Sequence, residues 1–181
     1  KVSFNDRDGD WVELFCADDG NNGKGASLKN YYIEVDNELF SFNSNHYCKS
    51  GNFIVVKDNS AEIQENEITS VYSTKVNLVA TDEQVLIIDK RDHKIVDAVC
   101  WANNDGKFIA SEAEDMNELA SKNSWIDAAE INCINSKNVK SKFVLTRDSE
   151  FTDTNSKNDW IITQNAYAGK IYTEQMSDSY L

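Results

Sequence analysis

Asp6, Asp8 and Asp10 alternate around Gly9, and several carboxylates on a tightly turned backbone are what a hard cation such as calcium prefers. The loop does not finish as an EF-hand would. Ala17 stands where a bidentate Glu should close it, and Trp11 occupies the sixth position, where glycine is required. Calcium is therefore the one cofactor with candidate ligands, set against a solvated hairpin turn as the leading reading. Immediately downstream, Trp11 and Glu13 place a stacking ring beside an acid. His46 and Cys48 offer two zinc ligands on one loop where three or four are needed, and the only other histidine is His93. Ser50-Gly51 lacks the glycine pattern of a nucleophile elbow, no glycine-rich phosphate loop exists, and Lys24 between Gly23 and Gly25 reads as loop. With 31 acidic residues, pairs of carboxylates arise by chance and assign no glycosidase. No catalytic residue is assigned, and the reading is non-enzymatic.

Four tryptophans, Trp11, Trp101, Trp125 and Trp160, could form a sugar-stacking platform, with Trp101 and Trp160 as the ligand-stacking candidates. Strand parity puts Trp101 with Ile95, Asp97 and Val99, and Val96, Ala98 and Cys100 on the other face, so both faces are mixed. Packing is the simpler role for most of these rings.

The four cysteines are even in number and never spaced Cys-x-x-Cys, which sets aside metal knuckles and thioredoxin chemistry and leaves two disulfides in an oxidising compartment. Parity places Cys16 with Val12 and Leu14, and Cys100 with Val96 and Ala98. The expected bridge is an inward Cys16–Cys100 pair spanning the two sheets. The alternative, Cys16–Cys48 with Cys100–Cys133, would tether loops instead.

A net charge of −13 opposes phosphate neutralisation, so no nucleic-acid partner is expected and acidic lipid surfaces are disfavoured. No run of roughly 18 apolar residues occurs, so direct membrane insertion is not expected. The chain starts at Lys1, which suggests removal of a preceding segment, and the absence of any Asn-x-Ser/Thr sequon favours bacterial export.

The elements that must position these residues are strands. Val2–Phe4 reads as a short edge strand leading through a turn to Asp10–Phe15, whose two-residue period separates Val12 and Leu14 from Trp11, Glu13 and Phe15. Leu28–Val35 and Glu38–Phe42 flank an Asp36-Asn37 turn, Asn52–Val56 is a central strand, and Thr69–Leu78 is another. Gln84–Asp89 and Lys94–Trp101 form the clearest hairpin. Ser111 with Glu114 matches a capping box, and Ala113, Met116, Leu119 and Ala120 recur at helical spacing, which predicts a helix running to Lys122. Strand character returns at Phe143–Leu145 and Asp159–Thr163.

Three stretches carry a family likeness: Gly9-Asp-Trp-Val-Glu-Leu-Phe15, Ser50-Gly-Asn-Phe-Ile-Val-Val56, and Arg147-Asp148 with Asp153-Thr-Asn155 and Asp159-Trp160. In this order, and with the hairpin of Gln84–Asp89 and Lys94–Val99, the chain resembles the lamin-tail domain family, the bacterial exported type. The resemblance implies an all-β, immunoglobulin-like β-sandwich over 1–102 and 139–165, a helical insertion over 103–138, and a tail over 166–181. The proline-glycine ending of bacterial members is absent, since the chain has no proline. The function it implies is a structural or interaction module of a secreted or cell-surface protein, binding another protein or self-assembling through loops or an exposed sheet edge. A carbohydrate-binding module is the alternative.

Overall fold

The computed structural model describes residues 1–4, 9–18, 22–35, 38–103, 133–137, 139, 143–164 and 166–171. Among them the chain is all-β, with thirteen strands and one 3-10 turn at Lys157–Asp159. The strands are β1 (Val2–Ser3), β2 (Trp11–Phe15), β3 (Ala26–Ser27), β4 (Tyr31–Val35), β5 (Glu38–Ser41), β6 (Tyr47–Cys48) and β7 (Phe53–Asp58). They continue with β8 (Thr69–Thr74), β9 (Asp82–Asp89), β10 (Lys94–Ala102), β11 (Ile134–Asn135), β12 (Val144–Arg147) and β13 (Trp160–Thr163). One sheet runs β13-β12-β1-β2-β7-β8, a second runs β11-β10-β9-β4-β5, and β3 pairs with β6. Most pairings are antiparallel, but β7 with β8 and β10 with β11 are parallel.

The two large sheets share one core, in a sandwich-like arrangement. Val12, Ile54, Val56 and Leu145 from the first meet Ile33, Val35, Val85 and Val99 from the second. The two-residue period of β2 does what its sequence demands: Val12 and Leu14 join this core, while Trp11 turns to the opposite face. That opposite face is not left to solvent. Trp11, Val55 and Val144 pack there with Ala166 and Ala168 from the C-terminal segment, whose few apolar residues give it no readable period. Glu13, 4% exposed, accepts a hydrogen bond from Gly169 N and pairs with Lys1 Nζ at 2.5 Å. The ring and acid beside each other in the sequence are thus a covered, neutralised face. Gly169 has φ +71°, and a Cβ there would lie 2.5 Å from Thr69 Oγ1, so only glycine lets the segment lie this close.

Several expectations are corrected. Val2–Ser3 is no edge strand but lies between β12 and β2, with Val2 opposite both Leu145 and Val12. Two residues are too few to reveal two neighbours. The strand expected over Thr69–Leu78 stops at Thr74, because Val76 and Leu78 drop into the core and Leu78 N donates to Asp10 Oδ2 at 2.7 Å. The helix expected over Ser111–Lys122 lies outside the described residues. At the end of the region assigned to an insertion, Ile134–Asn135 instead extends the second sheet beside Trp101–Ala102.

The disulfides are Cys16–Cys48 and Cys100–Cys133, with Cα separations of 5.7 and 5.2 Å. The inward Cys16–Cys100 bridge does not form. Cys16 does join the core beside Val12, but Cys100 faces the way Leu86 and Ala98 face, away from Val85 and Val99. Parity separated the two faces of β10 correctly from Asp97 to Trp101, but a register slip between Ile95 and Asp97 moves Ile95 to the other face, and the wrong face was taken as inward. Peptide mapping without reduction should recover the two observed cross-links and no Cys16–Cys100 peptide. Replacing both Cys100 and Cys133 by serine should cost about 3 to 4 kcal/mol, the chain-entropy value for a loop closed across a separation of 33 residues, measured by urea unfolding.

Candidate functional site

Arg147, the last residue of β12, is the polar centre of the molecule. Its Nη2 donates to Asp97 Oδ1 at 2.8 Å, and its Nη1 donates to the Thr152 carbonyl at 2.7 Å. Nη1 also lies 3.1 Å from Asp153 Oδ1 and 3.5 Å from Asp159 Oδ2. The guanidinium sits 4.9 Å from the centre of the Trp160 ring, within cation–π reach. Three carboxylates therefore surround one guanidinium.

Each partner is placed by local chain chemistry. On β10 the register against β9 slips between Ile95 and Asp97, leaving Val96 as the extra residue of a bulge, 52% exposed. The bulge allows Ile95 to pair opposite Ile88 while Asp97 pairs opposite Ile87, on the face that meets the first sheet. Asp159 closes the 3-10 turn as the second half of a capping box with Ser156, and accepts from Thr154 N, Thr154 Oγ1 and Ser156 N. The preceding loop is tied by Asp148, which accepts from Glu150 N, Thr152 N and Thr152 Oγ1. These bonds hold Phe151 at φ 55°, a left-handed backbone that bulky residues rarely adopt. In return its ring stacks on Phe15, with centroids 3.8 Å apart.

The electrostatics separate the carboxylates. Burial pushes the Asp97 carboxyl above the usual range, against the pull of Arg147 and with a further push from Asp153. Asp159 is also pushed up by burial, but hydrogen bonds from Thr154 and Ser156, with Arg147, outweigh this and hold it low. Asp148 is held low by its bonds to Thr152 and Glu150. Among the described residues Asp97 Oδ2 accepts no hydrogen bond, because Arg147 and Ala98 N both use Oδ1.

Beside this cluster a cavity of about 210 Å³ opens between the sheets. Val12, Leu14, Val85, Ile87 and Val99 form its walls, and Asp97, Arg147, Phe151, Asp153 and Trp160 stand at its polar side. Charged groups thus border an apolar interior, an arrangement that fixes the orientation of whatever enters.

Of the residues singled out by sequence, Trp160 reaches this site, half-buried, with Arg147 against its ring. Trp101 does not, and it is no stacking platform. It is 0% exposed, packs on Phe4 with centroids 4.7 Å apart, and donates its indole N–H to Val79 O at 2.8 Å. Trp125, Asp6 and Asp8 lie outside the described residues. Asp10 is buried and engages Leu78 N. Cys48 is oxidised, so the His46–Cys48 pair has no thiolate to give a metal; His46 instead accepts from Asn43 N through Nδ1 and stacks on Tyr72. His93 takes the left-handed position of the β9–β10 turn. No three His, Cys, Asp or Glu side chains among the described residues are grouped to hold a metal ion.

Residues 2–162 match a family described as a protein second domain. The chain belongs to this second-domain family. No curated protein matches it. The match embraces both large sheets except Thr163 at the end of β13, and the whole Arg147 cluster, so the site lies within the second-domain family's span. Sequence reading gives a site role to Trp160 alone among these residues and none to Arg147, Asp97, Phe151, Asp153 or Asp159. The signal for Asp97 was present, a carboxylate interrupting the apolar run Ile95-Val96-Asp97-Ala98-Val99.

Proposed function

We propose that this chain is a non-enzymatic interaction module of an exported protein, a lamin-tail-like, immunoglobulin-like sandwich that takes an extended segment of another protein onto the edge strand β8. The two disulfides fit an oxidising compartment outside the bacterial cytoplasm. The stretches that resemble lamin-tail motifs lie on β2, β7, the β9–β10 hairpin and the β12–β13 connection with its flanking strands, which supports this reading.

The observation behind the reading is the character of β8. Among the described residues it pairs along its length with β7 alone, its other side being met only at Thr69 by a bridge to Asn66, and its sequence Thr-Ser-Val-Tyr-Ser-Thr holds no charge, no proline and no glycine. Edges are ordinarily guarded by such residues, because the unpaired amides and carbonyls otherwise template another strand. Val71 and Tyr72 anchor β8 to the two hydrophobic clusters, so it is held in place as a rigid template. The net charge of −13 selects among occupants: it repels a second copy and attracts a segment with basic flanks.

A six-residue Thr/Val peptide flanked by lysines should bind saturably and shift the amide resonances of β8 before those of any other strand. Ser73→Lys, at an exposed position, should abolish the effect without changing the melting temperature. Shifts that map to β13, or binding unaltered by Ser73→Lys, would overturn the reading. Light scattering that shows a concentration-dependent dimer would favour the second copy instead.

A further inference from the structure

The cavity beside Arg147 has a chemistry that edge pairing does not use. We infer that it binds a small organic ammonium group, with an apolar stem between the sheets and the ammonium against Asp97 and Asp153. Three observations carry this, and none depends on β8.

The first is size: a cavity of about 150 Å³ holds a benzene molecule, so the 210 Å³ here takes a body of that order together with a charged head. The second is the wall. Val12, Leu14, Val85 and Val99 present only aliphatic surface to a stem, and aliphatic surface favours alkyl carbon over a fully hydroxylated ring.

The third is charge and hydrogen-bonding capacity. Asp97, Asp153 and Asp159 outnumber Arg147 by two charges, and the Lys1 and Glu13 side chains that also line the cavity neutralise each other, so the cluster attracts a cation and repels an anion. Asp159 is already engaged through both oxygens by Thr154 and Ser156, which leaves the other two better placed to receive a ligand. Asp97 Oδ2 is the open acceptor, since its sister oxygen serves Arg147 and Ala98 N. With 35% of its side chain exposed although it stands on an inward-facing strand position, Asp97 meets solvent through the cavity. An ammonium there can donate a charge-assisted bond to Oδ2 while Oδ1 keeps its own. Phe151, held at its strained left-handed backbone, and Trp160 add ring surface beside the same position.

Free alkylamines and lysine side chains share this chemistry, and one titration separates them. The full chain, labelled for NMR, is titrated with n-butylammonium, n-butanol, butyrate and N-acetyl-lysine methylamide. Butylammonium should saturate at about millimolar concentration, as expected for so few atoms, and should shift the Trp160 indole and the Asp97 and Ala98 amides. Butanol and butyrate should bind at least tenfold more weakly. Asp97→Asn should weaken butylammonium at least tenfold, and Asp153→Asn, at a half-exposed loop position, several-fold. Equal binding by the lysine derivative identifies a protein-borne ligand, and its exclusion a free amine; either supports the site. Butyrate or butanol matching butylammonium, or Asp153→Asn and Asp97→Asn both binding as the parent chain does, would overturn it.

Discussion

Trp101→Ala should destabilise the fold by about 4 kcal/mol, enough to remove much of the stability of an ordinary domain. The side chain is 0% exposed and lies against Phe4, so its removal leaves a cavity that neighbouring strands cannot collapse to fill. Trp101 stands opposite Glu83 on β9 and Ile134 on β11, and a fault there is shared by three strands. Trp101→Phe separates packing from hydrogen bonding. It keeps most of the ring but orphans the Val79 carbonyl, and should cost only about 1 to 2 kcal/mol. Urea unfolding of the two variants checks both values. Equal losses would mean that the indole hydrogen bond outweighs the packing, contrary to the argument from burial.

Arg147→Met should cost about 3 kcal/mol at neutral pH, and the loss should shrink in acid. The substitution keeps much of the stem and removes the guanidinium shared by Asp97, Asp153 and Asp159. The estimate sits at the low end for a broken buried pair, because Asp97 and Asp153 are 35% and 49% exposed and water screens them. The pH dependence follows from Asp97, which burial already holds above the ordinary carboxyl value in the fold. Without Arg147 it moves further up. The ionised form then weighs against folding at any pH above the folded value, and this penalty fades as the pH falls and the folded carboxyl takes its proton. Asp159 behaves oppositely: its carboxyl is held low, so its contribution is present at neutral pH and is lost only when acid reaches that depressed value. Urea melts at pH 7 and near pH 4 should therefore show a smaller gap between variant and parent at the lower pH. An equal gap at both would assign Arg147 a packing role alone. Arg147→Lys keeps the charge without the planar fork and should fall between the two.

Much of this architecture was legible in the residues themselves. Runs such as Phe53–Val56 and the Gln84–Asp89 and Lys94–Trp101 pair are β-branched stretches bounded by turn residues, and they fold as strands because local sterics and burial agree. The clustering of Arg147, Asp153, Asp159 and Trp160 was foreshadowed too, since they lie within fourteen consecutive residues that must turn back on themselves. The cysteine count and spacing pointed to oxidation. The pairing eluded them, because parity states which residues share a face but not which face is inward.

That choice belongs to the tertiary structure, as does everything at the cavity. Asp97 lies 50 residues from Arg147, and only the bulge at Val96 and the packing of two sheets bring them to 2.8 Å. The Asp10–Phe15 strand shows the same division. Its alternation determined that Val12 and Leu14 would face the core, by the two-residue period of an extended chain. Whether Trp11 and Glu13 would meet solvent, a ligand or more protein was decided by a segment some 150 residues later that crosses their face, and no local pattern encodes a contact of that range.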